Sequence, residues 1–105
     1  MTAVHEVATE CRKVLEHYYG DRFKGLLLYG SMAREQESST SDIDFLVLLS
    51  SPFDYFQELR QIIEITYSIQ MEVDNLLSIK PALLDEFENG SIQLYRNIQK
   101  EGIFC

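Results

Sequence analysis

What this chain lacks narrows the field before any motif is read. It has two cysteines in 105 residues, Cys11 and Cys105, too few and too scattered for a disulfide framework or a zinc site. Cys11 falls on a helical apolar position, where a small core residue is the simplest role. No apolar run approaches the ~20 residues that cross a bilayer. Met1 to Glu10 holds no basic stretch followed by an apolar one, so no secretory leader is expected and the cytoplasm is the expected compartment. Positive charge is scarce: nine Lys and Arg against 17 Asp and Glu leave a net charge of −8. Proteins that hold nucleic acid concentrate cations to displace counterions from phosphates. Here the nine are dispersed from Arg12 to Lys100, which argues against a polynucleotide and for a basic protein partner reached by electrostatic steering. There is no linker, internal repeat or low-complexity tract, and at this length one domain spanning 1–105 is expected.

The apolar residues are ordered. Thr2 is placed to cap a first helix whose Val4, Val7, Ala8, Cys11, Val14, Leu15 and Tyr18 share one face, and Gly20 ends it. An apolar strand follows over 24–29, then a short helix from Ser31 to about Gln36 and a serine-rich loop to Ser41. A second apolar strand runs from Ile43 to Leu49 and is stopped by Ser50-Ser51-Pro52. The next helix carries Phe53, Phe56, Leu59, Ile62, Ile63 and Thr66 on one side. Ile69 to Leu77 reads as a third strand, with Glu72, Asp74 and Leu76 facing one way. Pro81 opens a helical turn with Leu83, Leu84 and Phe87, and Ile92, Tyr95 and Ile98 mark a last helix closed by Gly102. The order αβαβαβαα with short connections predicts an α+β fold, a small mixed β-sheet covered by helices.

One stretch carries chemistry. Between the first two strands stands Gly30-Ser31, then ten residues, then Asp42-Ile43-Asp44. Residues two apart on a strand share a face, so the two carboxylates converge. Mg²⁺ takes one or two carboxylates together with substrate phosphates, and a Gly-Ser turn offers backbone N–H groups to phosphate oxygens. Asp-x-Asp alone is common turn chemistry. Enclosed between two apolar strands, it places like charges where desolvation opposes them unless a cation is present. Asp74, between Val73 and Asn75, is the preferred third carboxylate, with Glu72 as the alternative on the same face. Arg34 is a candidate triphosphate contact or an exposed helix residue. His5 and His17 stand remote from the motif, and Tyr29 is read as core.

Gly30-Ser31, ten residues and Asp42-Ile43-Asp44 resemble the signature of the DNA polymerase β-like nucleotidyltransferases, and within them the minimal nucleotidyltransferases that serve as antitoxins to HEPN-type ribonucleases. The closing segment from Leu94 to Ile103 is similar to that family's ending; Glu35 departs from it, where many relatives have glycine. The resemblance implies the palm-like nucleotidyltransferase fold, with Asp42, Asp44 and Asp74 as catalytic ligands of two Mg²⁺ ions. Gly30, Ser31 and Arg34 would bind the nucleotide, with ATP as donor. It implies AMP transfer to a tyrosine of a HEPN toxin encoded nearby, with no nucleic acid or membrane partner. The alternatives are an antitoxin that only binds, and an enzyme acting on a small-molecule hydroxyl. The second is disfavoured because nothing remains after the αβ unit for a separate acceptor domain.

Overall fold

The computed structural model describes residues 4–34 and 41–105. Helix α1 (Val4–Tyr19) buries Val7, Ala8, Cys11, Leu15 and Tyr19, the i, i+1, i+4, i+8 and i+12 positions of one face. The chain leaves it through Gly20 at φ +57° and a single 3-10 turn, Gly20–Arg22. Strands β1 (Phe23–Tyr29) and β2 (Ile43–Leu49) pair antiparallel. Helix α2 (Tyr55–Gln70) is capped by the Asp54 carboxylate, which accepts from the Gln57 N–H, and leads into β3 (Leu77–Leu83), parallel to β2. Helices α3 (Leu84–Glu88) and α4 (Gln93–Glu101) follow, and a two-residue β4 (Ile103–Phe104) returns to pair antiparallel with β1. The sheet order is β3-β2-β1-β4, a mixed sheet with helices on both faces, as the sequence predicts.

Two cores lie on the two faces of this sheet. Ile43, Phe45, Val47 and Leu49 of β2 and Leu26 and Leu28 of β1 pack against α1 and α2. Leu27, Tyr29, Leu46 and Leu48 pack against Ala82, Phe87 of α3 and Ile98 of α4. Each fully buried Leu, Ile or Phe contributes about 1.5–3 kcal/mol relative to exposure, which is why both central strands read as unbroken apolar runs. Asp44 is the one position of β2 that is not fully buried.

Several boundaries differ from expectation. The third strand does not begin at Ile69. α2 continues to Gln70 because Ile62, Thr66 and Ile69 keep the helical period against the core, and the Thr66 hydroxyl donates a hydrogen bond to the Ile62 carbonyl at 2.7 Å. The Gln70 side chain then clamps the turn: its Nε2 donates to the Asn75 carbonyl at 2.9 Å and its Oε1 accepts from the Leu77 N–H at 2.7 Å. Pro81 lies inside β3 rather than opening a helix; β3 is an edge strand, where a missing N–H is tolerated. Phe56 and Ile63 are exposed although their spacing suggested the buried side, and Tyr19 rather than Tyr18 is buried. Residues 31–34 form a turn, not the start of a regular helix, with the Arg34 N–H shared between the carbonyls of Gly30 (3.3 Å) and Ser31 (3.2 Å). Thr2, the remainder of that expected helix and the serine-rich loop up to Thr40 lie outside the described residues, and Glu35 with them.

Candidate active site

The end of β1 and the start of β2 lie side by side, with Tyr29 opposite Asp44. The chain leaves Tyr29 through Gly30, whose φ of +76° favours glycine. A Cβ at this position would lie 2.5 Å from Asp44 Oδ2. The backbone conformation thus favours glycine, and an added Cβ would also force the Asp44 carboxylate to turn away. Beyond it, the N–H groups of Ser31, Met32 and Ala33 donate to no acceptor among the described residues. Three free donors beside a carboxylate pair form a turn able to receive phosphate oxygens only if the carboxylates' charge is offset.

That charge is not offset by hydrogen bonds. Neither Asp42 nor Asp44 accepts one through its side chain among the described residues. Burial pushes the Asp44 carboxyl above the usual carboxylate range, the neighbouring Asp42 charge adds to the rise, and Lys80 opposes it. Strand alternation explains the grouping. Asp42 and Asp44 have the parity of Leu46 and Leu48, and on β3 Ser78 and Lys80 have the parity of Ala82, all on the α3/α4 face. Ser78 stands beside Asp44 and Lys80 beside Leu46. The hydroxyl of Tyr29, which pairs with Asp44, is buried without a partner among the described residues, its pKa pushed up to about 12 first by burial and then by the Asp44 charge. Two neighbouring carboxylates without donors among the described residues, one of them with its oxygen against a glycine, fit one or two Mg²⁺ ions completed by water and phosphate.

The third carboxylate stands differently from the strand reading. Glu72 and Asp74 precede β3, in a turn and a bend, and both are exposed. In the β2·β3 register, continuing Ile43↔Leu77 back by one residue sets Leu76, not an acid, beside Asp42. Among the described residues no group of three or more His, Cys, Asp or Glu is placed to hold a metal. Asp74 nevertheless adjoins Asn75, whose amide donates to the Ser41 carbonyl at 2.7 Å, so it sits near the entrance to β2. Glu72 lines a cavity with His5, Glu6 and Thr9 of α1, on the other side of the sheet. Asp74→Asn is therefore expected to reduce transfer at least ~10-fold more than Glu72→Gln, since only a group near the phosphates acts in the transition state. Steady-state kinetics on the purified pair decide it, and the reverse order would remove Asp74 from the site.

Arg34 is exposed, and its guanidinium meets Glu101 of α4 at 3.5 Å. A surface pair of this kind is worth about 0–1 kcal/mol, so Arg34 is free to exchange it for a stronger anion. His5 and His17 are exposed on α1, and Cys11 is a buried core thiol as expected. Lys80 and Ser78 escaped the sequence reading because the strand carrying them was placed eight residues too early. Nothing in the local pattern marks Lys80; it is legible only once Leu46 and Lys80 are known to be neighbours.

A glycine turn with unpaired N–H groups beside two neighbouring carboxylates at two strand ends, on a helix-covered mixed sheet, is the arrangement of a nucleotidyltransferase. The chain belongs to the polymerase beta nucleotidyltransferase family, which residues 9–104 match. It is similar to proteins of Methanocaldococcus jannaschii that carry the name "Putative protein adenylyltransferase". One is 28% identical over 96 residues, covering 85% of this chain and 96% of its own length. Another is 32% identical over 88 residues, covering 84% and 83%. In three dimensions it resembles a crystal structure of a toxin-antitoxin with AMP-PNP, at TM-score 0.66 and 16% identity over 92% of this chain and 70% of that one. It also resembles a nucleotidyltransferase structure from Sulfolobus solfataricus, at TM-score 0.56 and 14% identity over 99% and 86%. At such identities these two show the fold.

Proposed function

We propose that this chain transfers AMP from ATP to a tyrosine hydroxyl of a partner protein, a HEPN-type ribonuclease toxin, and so acts as its antitoxin. The observation that carries the reading is Asp44, packed against Gly30 beside Asp42 with no hydrogen-bond donor among the described residues. In this reading Asp42 and Asp44 would hold the Mg²⁺ ions, with Asp74 next to Asn75 near the entrance to β2 rather than in the ligand pair. Such ions, when bound, lower the pKa of an attacking hydroxyl and neutralise a triphosphate. The chain's own residues do the rest. N–H groups of Ser31 to Ala33 and the Ser31 hydroxyl hold phosphate oxygens, and Arg34 exchanges Glu101 for the triphosphate. The buried Tyr29, neighbour of Asp44 across the strands, would help keep water from the carboxylate. The acceptor oxygen then bonds to the α-phosphorus, the bond to the bridging oxygen breaks, pyrophosphate departs and the hydroxyl proton is released. Held in line, the reactants need little more than positioning and electrostatics.

Support for a protein acceptor comes from the adenylyltransferase names of the relatives and from the −8 net charge, which suits a basic protein better than a polynucleotide. Incubated with ATP, Mg²⁺ and the protein encoded beside it, the chain is expected to raise that protein's intact mass by one or more AMP units on tyrosine. Neutralisation of the toxin without a mass change, and equally by Asp42→Asn, would show an antitoxin that acts by binding alone.

A further inference from the structure

We propose that the outer face of α2 pairs with the same face of a second copy of this chain, as antiparallel helices about a twofold axis. α2 buries Ile62, Thr66 and Ile69. At ~100° per residue, Phe56, Arg60, Ile63, Tyr67 and Met71 share a second stripe turned well away from that face. Its apolar members are 73%, 56%, 59% and 65% exposed for Phe56, Ile63, Tyr67 and Met71. Single exposed apolar side chains are ordinary, whereas a continuous row on one helix marks an interaction surface.

The charges on this stripe select the occupant. Arg60 and Glu64 stand one turn apart, yet neither side chain enters an ion pair or hydrogen bond among the described residues. With a twofold axis passing between Ile63 and Glu64, Phe56 meets Met71 of the second copy and the two Ile63 side chains meet at the centre. Arg60 lies over the second copy's Tyr67 ring, within reach of its Glu64, and the same contacts repeat on the other side of the axis. The stripe with its flanking Glu64 is thus complementary to itself, and the two together are neutral on a chain whose net charge is −8, so two copies meet where their mutual repulsion is least. α2 lies against the sheet face opposite the one bearing Asp44, so pairing leaves the carboxylates accessible. One helix face falls short of the ~800 Å² per partner of a standard interface, and a dissociation constant on the order of 10–100 µM is expected.

Sedimentation velocity across a concentration series tests this, with circular dichroism to confirm that each variant is folded. The wild type should shift from the mass of one chain towards that of two, and Ile63→Glu should remain a monomer throughout. Arg60→Glu should weaken association at least ~10-fold by facing like charges, and Arg60→Glu combined with Glu64→Arg should restore it to within a few-fold. A wild type that stays monomeric at high concentration overturns the proposal. So does Ile63→Glu dimerising as well as wild type, or a double reversal that restores nothing. A monomer that uses α2 only to hold its genomic neighbour overturns it equally.

Discussion

Asparagine at Asp42 or at Asp44 is expected to lower nucleotidyl transfer by ~10³-fold or more, because in the proposed function each removes a charge that would act on the phosphates in the transition state. The fold should survive, and for Asp44 it should gain. The Asp44 carboxyl is held above its usual range, so the folded chain binds that proton more tightly than the unfolded chain does. The associated stability is fully present below the ordinary carboxylate pKa and is lost as pH rises through the raised value. In chelator at neutral pH, Asp44→Asn should therefore melt at or above wild type, with the gap closing in acid. Added Mg²⁺ should raise the melting temperature of wild type and leave both asparagine variants unmoved. Thermal melts and transfer assays on the same preparations read both effects, and undiminished transfer by the two variants would falsify the metal assignment.

Gly30→Ala is expected to cut transfer by ~10²-fold, the scale of a displacement of about 1 Å at a reacting centre. The new Cβ cannot share space with Asp44 Oδ2, so the carboxylate must move from the position it holds against Gly30. The backbone at φ +76° adds strain of about 1–3 kcal/mol. Gly20→Ala separates the two causes. Gly20 has φ +57° and, among the described residues, nothing within 4 Å of an added Cβ, so it suffers the strain alone. Both variants should lose stability, and only Gly30→Ala should lose activity. Equal activity in the two would mean that contact with Asp44 is incidental to function.

Much of this molecule is legible residue by residue. β2 begins and ends where its apolar run does, because every side chain but that of Asp44 is buried there and burial on both faces leaves no ambiguity. α1 obeys its period except at the end, where Tyr19 rather than Tyr18 turns inward. The misreadings cluster where local preference and tertiary demand part. Ile69 and Gln70 lie in a β-branched and apolar stretch that suits a strand, but they extend α2, since Ile69 completes its buried face and Gln70 is more useful tying down the turn before β3. β4 has two exposed residues and no pattern of its own; it exists because the unpaired edge of β1 supplies partners.

The sequence by itself determined the α+β class, the glycine turn and the aspartate pair two residues apart, because these depend on local spacing and on which side chains cannot meet water. Tertiary structure alone decided which groups stand around that pair. The β2·β3 register brings Ser78 and Lys80 to its face and puts Leu76 where a strand-borne third acid was expected. It also decided that Gly30 is held open by Asp44, a contact between two strand ends that no local pattern encodes. Neighbours across a sheet are chosen by how two cores fill on its opposite faces, and that choice shifts whole strands by several residues without altering the alternation read along any one of them.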